Sequence, residues 1–170
     1  MSTHPPQKHL VLAVGSPSGD DQAGWLVIEQ MRQMDLPLQL QLLYMDRPGP
    51  ALIEQMQGYA SVTLIDAIYT EQYPPGCWLK LNLFQLAQHD SCSSHGFGLS
   101  ETLALAQQLD QLPPKLRLLG ISICKPAVGE NASEDVTSAA QALAQRLARE
   151  YQTAIGNGGV GSLGSSSSSS

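Results

Sequence analysis

The chain predicts an α/β fold, a three-layer sandwich of helices about a mostly parallel sheet, and two features of its pattern carry that expectation. Short apolar runs (10–14, 61–65 and 116–123), bounded by Gly, Pro, Asp or Ser, alternate with helix-period stretches (23–35, 99–112 and 132–151). Apolar runs without alternation suit strands covered on both faces, as in a parallel sheet. Strands that alternate with helices call for crossover connections.

The first strand, 10–14, stops at Gly15, and Gly15, Pro17 and Gly19 punctuate a tight loop. Two adjacent carboxylates, Asp20 and Asp21, follow, and a helix with apolar spacing runs over 23–35 (Trp25, Leu26, Ile28, Met31). Leu36-Pro37 breaks it. The stretch 38–45 alternates apolar and polar residues at first, as a strand nearer the sheet edge does. Asp46-Arg-Pro-Gly-Pro50 is a turn, with Pro50 suited to the first position of a helix over 51–57 that Gly58 ends. The β-branched run 61–65 is a central strand leading straight into Asp66. Tyr73-Pro-Pro-Gly76 is a second break, after which 77–84 reads as another strand. A polar loop, His89 to Gly98, opens into the helix 99–112, which Pro113-Pro114 stops. The last strand is 116–123, and a loop over 125–131 leads to the closing helix 132–151, with Ser133 or Asp135 as its N-cap.

The chain has 170 residues and a net charge of −6, enough for one domain with its own core. The expected boundaries are a disordered start over 1–8, a single domain over 9–152 and a flexible Gly/Ser-rich tail over 153–170. The acidic balance and the lack of a basic run exclude non-specific nucleic-acid binding. No stretch approaches the roughly 20 apolar residues of a membrane span. The first residues lack the apolar centre of a signal peptide, so a cytoplasmic location is expected. Cys77, Cys92 and Cys124, odd in number and without CxxC spacing, read as free thiols of a reducing compartment.

Polar signals stand where apolar elements end or helices begin: Asp20/Asp21 after the first strand, Asp66 after the third apolar run, and His95 before the helix at 99. The ends of strands one and three commonly neighbour each other in a parallel sheet, so these residues can share one crevice. Two carboxylates and an imidazole suit a divalent first-row metal such as zinc or nickel. Each also has a structural reading: Asp20 or Asp21 as an N-cap, Asp66 as a turn or cap residue, His95 and His89 as surface histidines. Gly15-Ser-Pro-Ser-Gly19 matches neither phosphate-loop pattern, lacks the lysine and carries acids that repel phosphate. Ser16 lacks the G-x-S-x-G elbow of a serine nucleophile. Cys92 with His95 or His89 is a minor alternative pair.

Taken together, Val14-Gly-Ser-Pro-Ser-Gly-Asp-Asp-Gln-Ala-Gly24, Leu64-Ile-Asp-Ala67 and Ser93-Ser-His-Gly-Phe-Gly-Leu99 resemble the hydrogenase maturation endopeptidases, over roughly residues 9–150. These enzymes remove the C-terminal extension of the large subunit of nickel–iron hydrogenases. The resemblance implies a twisted five-stranded sheet of phosphorylase/hydrolase-like type, with one antiparallel strand for which 77–84 is the candidate. It places the metal-binding and catalytic set on Asp21, Asp66 and His95. Nickel, carried by the substrate or held at the site, is the implied metal, with zinc or cadmium able to substitute. The implied partner is the large-subunit precursor and the implied state a monomer. The sequence departs from the family pattern in Ser16, where Asn is common, and in Asp rather than Glu at position 21. A non-catalytic accessory protein of the same fold is the competing reading, and a flavodoxin-like or nucleotide-binding module, which would retain flavin or nucleotide, a third.

Overall fold

A computed structural model describes residues 7–15, 22–89, 98–123 and 131–164, with the backbone alone for residue 89 and for 156–164. Ten elements follow in order. They are β1 (His9–Val14), α1 (Ala23–Arg32), β2 (Leu40–Met45), α2 (Pro50–Met56), β3 (Ser61–Tyr69), β4 (Trp78–Leu81), α3 (Leu83–His89), α4 (Leu99–Gln108), β5 (Lys115–Ile123) and α5 (Glu134–Gly164). The sheet order is β2-β1-β3-β5-β4. The β1–β2, β1–β3 and β3–β5 pairs are parallel, and β4 pairs antiparallel with β5. The expected mostly parallel sheet with one antiparallel strand is therefore present, and β2 lies at the edge as its alternation suggested.

Strand periodicity divides the core into two layers. On one face Val11 and Ala13 of β1 and Ile65 of β3 join Val27, Ile28 and Met31 of α1 and Val136, Leu143 and Leu147 of α5. On the other, Leu10, Leu12 and Val14 of β1 and Val62 and Leu64 of β3 join Leu52 and Met56 of α2, Leu86 of α3 and Leu99 and Leu103 of α4. Both faces of β1 and β3 are covered, which is why their runs read apolar throughout rather than alternating. Full burial of one such Leu or Ile contributes roughly 1.5–3 kcal/mol. No helix among the described residues is long and apolar enough to cross a membrane.

Several boundaries differ from the sequence expectation, each for an identifiable reason. The strand expected over 77–84 is cut to four residues, and α3 follows at once. Asn82 Oδ1 accepts the Gln85 N–H at 2.7 Å while Gln85 Oε1 accepts the Asn82 N–H at 3.0 Å, a reciprocal cap that starts a helix. α4 ends before Pro113-Pro114, because Asp110 adopts a left-handed conformation (φ 55°). The Gln111 N–H then reaches the Ala106 carbonyl at 2.8 Å and the Asp110 N–H that of Gln107 at 3.1 Å, the two bonds of a Schellman stop. β3 runs four residues beyond the expected 65, because β5 pairs with it through Tyr69. α5 continues to Gly164, past the expected start of the tail at 153. Local propensity does not account for that extension, which includes Gly156, Gly158, Gly159 and Gly161.

Candidate active site

β1 connects through α1 to β2 on one side, and the chain then crosses to β3 on the other. The carboxyl ends of β1 and β3 therefore flank the point where the winding reverses, the place where open α/β sheets bind ligands. The geometry there follows from unequal strand lengths. Pairing between β1 and β3 ends at Ala13 and Ile65. The Gly15 N–H continues the ladder to β2, donating to the Met45 carbonyl at 3.0 Å in the same register as His9 N–H to the Gln39 carbonyl. β3 carries on beside β5 alone, so Asp66 is the first residue past the end of the β1 ladder. Asp66 was expected at the end of its strand; it stands three residues inside β3, and the step is made by β1 stopping short.

Asp66 is half-buried, and its Oδ1 accepts the Ala67 N–H at 2.8 Å, which fixes how the carboxylate is presented. By strand alternation it shares a face with Val62 and Leu64, the face covered by α2 and α4. Val14, Leu64 and Leu99 belong to one buried cluster, and Leu99 is 2% exposed. The first turn of α4 thus joins the core layer that covers this face of β1 and β3, beside α2 and α3. The α4 N-cap is Gly98, whose carbonyl accepts both the N–H (3.0 Å) and the hydroxyl (2.9 Å) of Thr102. Gly98 itself supplies no side-chain cap.

On the opposite face, Gly24 lets α1 approach the sheet. A Cβ at this position would stand 3.0 Å from Ala13 Cβ and 3.1 Å from the Ile65 carbonyl oxygen. The glycine that closes the 14–24 motif thus sets the distance from the α1 N-terminus to the strand immediately before Asp66. The α1 N-cap position belongs to Gln22, without a side-chain cap bond, and not to Asp20 or Asp21.

Of the expected set, the structure places Asp66. Asp20, Asp21 and His95 lie outside the described residues, as do Cys92, Cys124, His4 and the side chain of His89. α1 begins two positions after Asp21 in the sequence and α4 four positions after His95, and the first turns of both helices stand at the carboxyl edge that carries Asp66. Among the described residues no three His, Cys, Asp or Glu side chains converge as a metal site. His9 starts β1 and so stands at the opposite edge of the sheet.

The surroundings of the crevice are acidic and braced. Asp46 follows β2, Glu71 follows β3, and Glu134 and Asp135 open α5, all on the carboxyl side of the sheet. Arg47, beside Asp46, is a base at the same edge, so these four acids leave a net negative excess there, which attracts cations. Ser122, fully buried near the end of β5, was not singled out by sequence. Its hydroxyl donates to the Pro74 carbonyl at 2.6 Å and accepts the Cys77 N–H at 3.0 Å. It thereby ties the Tyr73–Cys77 turn to the sheet. Gly76 adopts φ 89° in that turn, and a Cβ there would lie 2.8 Å from the Asp135 carbonyl oxygen, so the turn packs directly on the start of α5. Gly120, opposite Asp66 in register, accommodates the Ile68 side chain in the space a Cβ would occupy. An isolated glycine in an apolar strand was the available signal for that close approach.

No protein-family model matches the chain, and no curated protein sequence does. Solved structures do match. The solution structure of an endopeptidase from Escherichia coli superposes with a TM-score of 0.74 at 22% identity, covering 88% of this chain and 94% of that one. A hydrogenase 2 maturation peptidase from a Thaumarchaeota archaeon is 27% identical, with a TM-score of 0.60 over 83% of this chain and 95% of that one. The NiFe hydrogenase maturation protease HycI from Thermococcus kodakarensis matches at a TM-score of 0.69 and 20% identity, over 84% and 91% of the two chains. The motifs in the sequence and the architecture of the sheet lead to the same place: the chain has the fold of the hydrogenase maturation proteases.

Proposed function

We propose that this protein is an endopeptidase that removes the C-terminal extension from a nickel-loaded hydrogenase large-subunit precursor, with Asp21, Asp66 and His95 as the residues that meet the metal. The observation that carries the reading is the position of Asp66. A carboxylate fixed by a backbone N–H stands at the β1/β3 reversal, on the α4 face, in a fold shared with maturation peptidases. The acidic edge around it supports the approach of a cation-bearing substrate.

The donor set fits a divalent ion: carboxylate oxygens and an imidazole nitrogen are ligands that nickel, zinc or cadmium accept. Nickel enters as cargo of the precursor or is held at the site, and when bound it polarises the scissile carbonyl or lowers the pKa of a water. The part of this chain is positional. β3 holds Asp66 rigidly beyond the β1 ladder, α1 held close at Gly24 brings the end of the Asp21 loop to the same edge, and α4 seated on Leu99 does so for the His95 loop.

The experiment incubates nickel-loaded precursor with the protein and follows the large subunit by mass. A product shortened at its C-terminus is expected, and none when the precursor lacks nickel. Co-elution of the two proteins without cleavage overturns the reading in favour of an accessory chaperone.

A further inference from the structure

The opposite edge of the sheet carries an open cavity. The starts of β1, β3 and β5 and the stretch of α5 around Glu150–Ile155 line it, with a volume of about 320 Å³. That volume is at the small end of the roughly 300–1,000 Å³ of ligand pockets. Its polar groups are already ordered by one another. Thr63 Oγ1 and the Tyr151 hydroxyl lie 2.8 Å apart, Arg117 Nε donates to Thr63 Oγ1 at 3.2 Å, and Arg117 Nη1 donates to Glu150 Oε2 at 2.7 Å. His9 Nδ1 is 2.6 Å from Ser61 Oγ. These bonds use two of the five N–H donors of the Arg117 guanidinium among the described residues.

The charge count at the cavity is decisive. Lys115 and Arg117 are cationic and Glu150 anionic, so the lining carries one net positive charge in a protein of net charge −6. Burial, and after it Lys115, pushes the His9 pKa below its usual 6.5, which leaves that imidazole neutral at pH 7. The remaining wall is apolar, from Val62, Leu116, Ala154 and Ile155. A pocket that is short, mostly apolar and singly positive complements one kind of molecule.

We propose that this cavity binds a small organic monoanion, an aliphatic carboxylate whose charge meets Lys115 and Arg117 and whose tail lies against Val62, Leu116 and Ile155. The site is on the edge of the sheet away from Asp66 and does not depend on the processing reaction.

Hexanoate, hexylamine and hexanol are titrated into the full-length labelled protein, with the His9 ring and the backbone amides of Val62, Ala154 and Ile155 followed by NMR. Saturable shifts are expected with hexanoate, and binding weaker by about threefold to fivefold with the amine and the alcohol, since a charge contact with solvent-exposed cationic side chains is worth about that factor. Lys115→Glu, on an exposed side chain that leaves the core intact, is expected to weaken hexanoate by a similar factor, and Ala154→Trp to fill the space and abolish binding. Equal affinity for hexanol, no effect of Lys115→Glu in a folded variant, or no saturable shift with hexanoate overturns the proposal. So does binding that appears only after residues 1–6 or 156–170 are deleted, because the chain itself is then the occupant.

Discussion

The close packing of Gly120 on Ile68 gives a sharp test of how the end of β3 is built. A Cβ at Gly120 would overlap Ile68 Cγ1 and Cδ1 and come within 3.1 Å of Leu81 Cδ1. Ile68 is 2% exposed and β-branched, so it has few rotamers into which to retreat. Overpacking of this kind costs about 1–3 kcal/mol. Replacing a strand glycine by alanine returns roughly 0.5–1 kcal/mol of backbone entropy. Gly120→Ala is therefore expected to lose about 1–2 kcal/mol net. Ile68→Ala alone removes a buried side chain and costs about 2–5 kcal/mol. In the double variant the new methyl enters the space the isoleucine has vacated. Its stability is expected to be no lower than that of Ile68→Ala, a favourable coupling of about 1–2 kcal/mol. Urea unfolding of the four proteins measures this directly, with unchanged slopes confirming that native-state stability has moved. Losses that add to within about 0.5 kcal/mol would refute the reasoning, because additivity means the two groups do not share the space.

Three further outcomes are expected. Asp21→Asn, Asp66→Asn and His95→Ala should each keep the fold yet lose roughly 10³-fold in precursor processing, the equivalent of several kcal/mol of Lewis-acid stabilisation; processing at the wild-type rate by a folded variant removes that residue from the site. Ser122→Ala leaves the Pro74 carbonyl and the Cys77 N–H without their buried partner, and a loss of about 1–3 kcal/mol in chemical denaturation is expected. The depressed pKa of His9 means the unfolded chain takes up its proton first, so this residue contributes stability above pH 6.5 that is lost as pH falls toward the lower folded value. His9→Gln should flatten the acid side of the melting-temperature profile below pH 6.5, and a profile unchanged by the substitution counts against the assignment.

What could be read from the sequence was what local pattern decides. The unbroken apolar runs at 10–14 and 61–65 announce strands covered on two faces, and the structure buries both faces of β1 and β3. Pro50 at the start of α2 and the alternation that puts β2 at the edge are equally local. The region after Cys77 was not legible from periodicity, because Leu79, Leu81, Leu83, Phe84 and Leu86 satisfy a strand period at first and a helical one later. The Asn82–Gln85 cap settles the change, and its N-x-x-Q spacing was the sequence signal. The length of β3 was not legible at all, since residues 66–69 are extended only because β5 lies beside them.

The site divides in the same way. An apolar strand running into a carboxylate was the signal at Asp66, and the structure places that residue just past the β1 ladder on the carboxyl side of β3. Which neighbours it has is a property of strand order: β1 lies beside β3 only because the chain crosses over after β2. Nor could sequence indicate that the notch at Asp66 comes from β1 ending its pairing with β3 at Ala13, while β3 continues beside β5. Lengthening β1 by one paired residue would place a hydrogen-bonded neighbour against Asp66 and close the step. The openness of the crevice thus depends on β1 ending its pairing with β3 at Ala13, one rung short of Asp66.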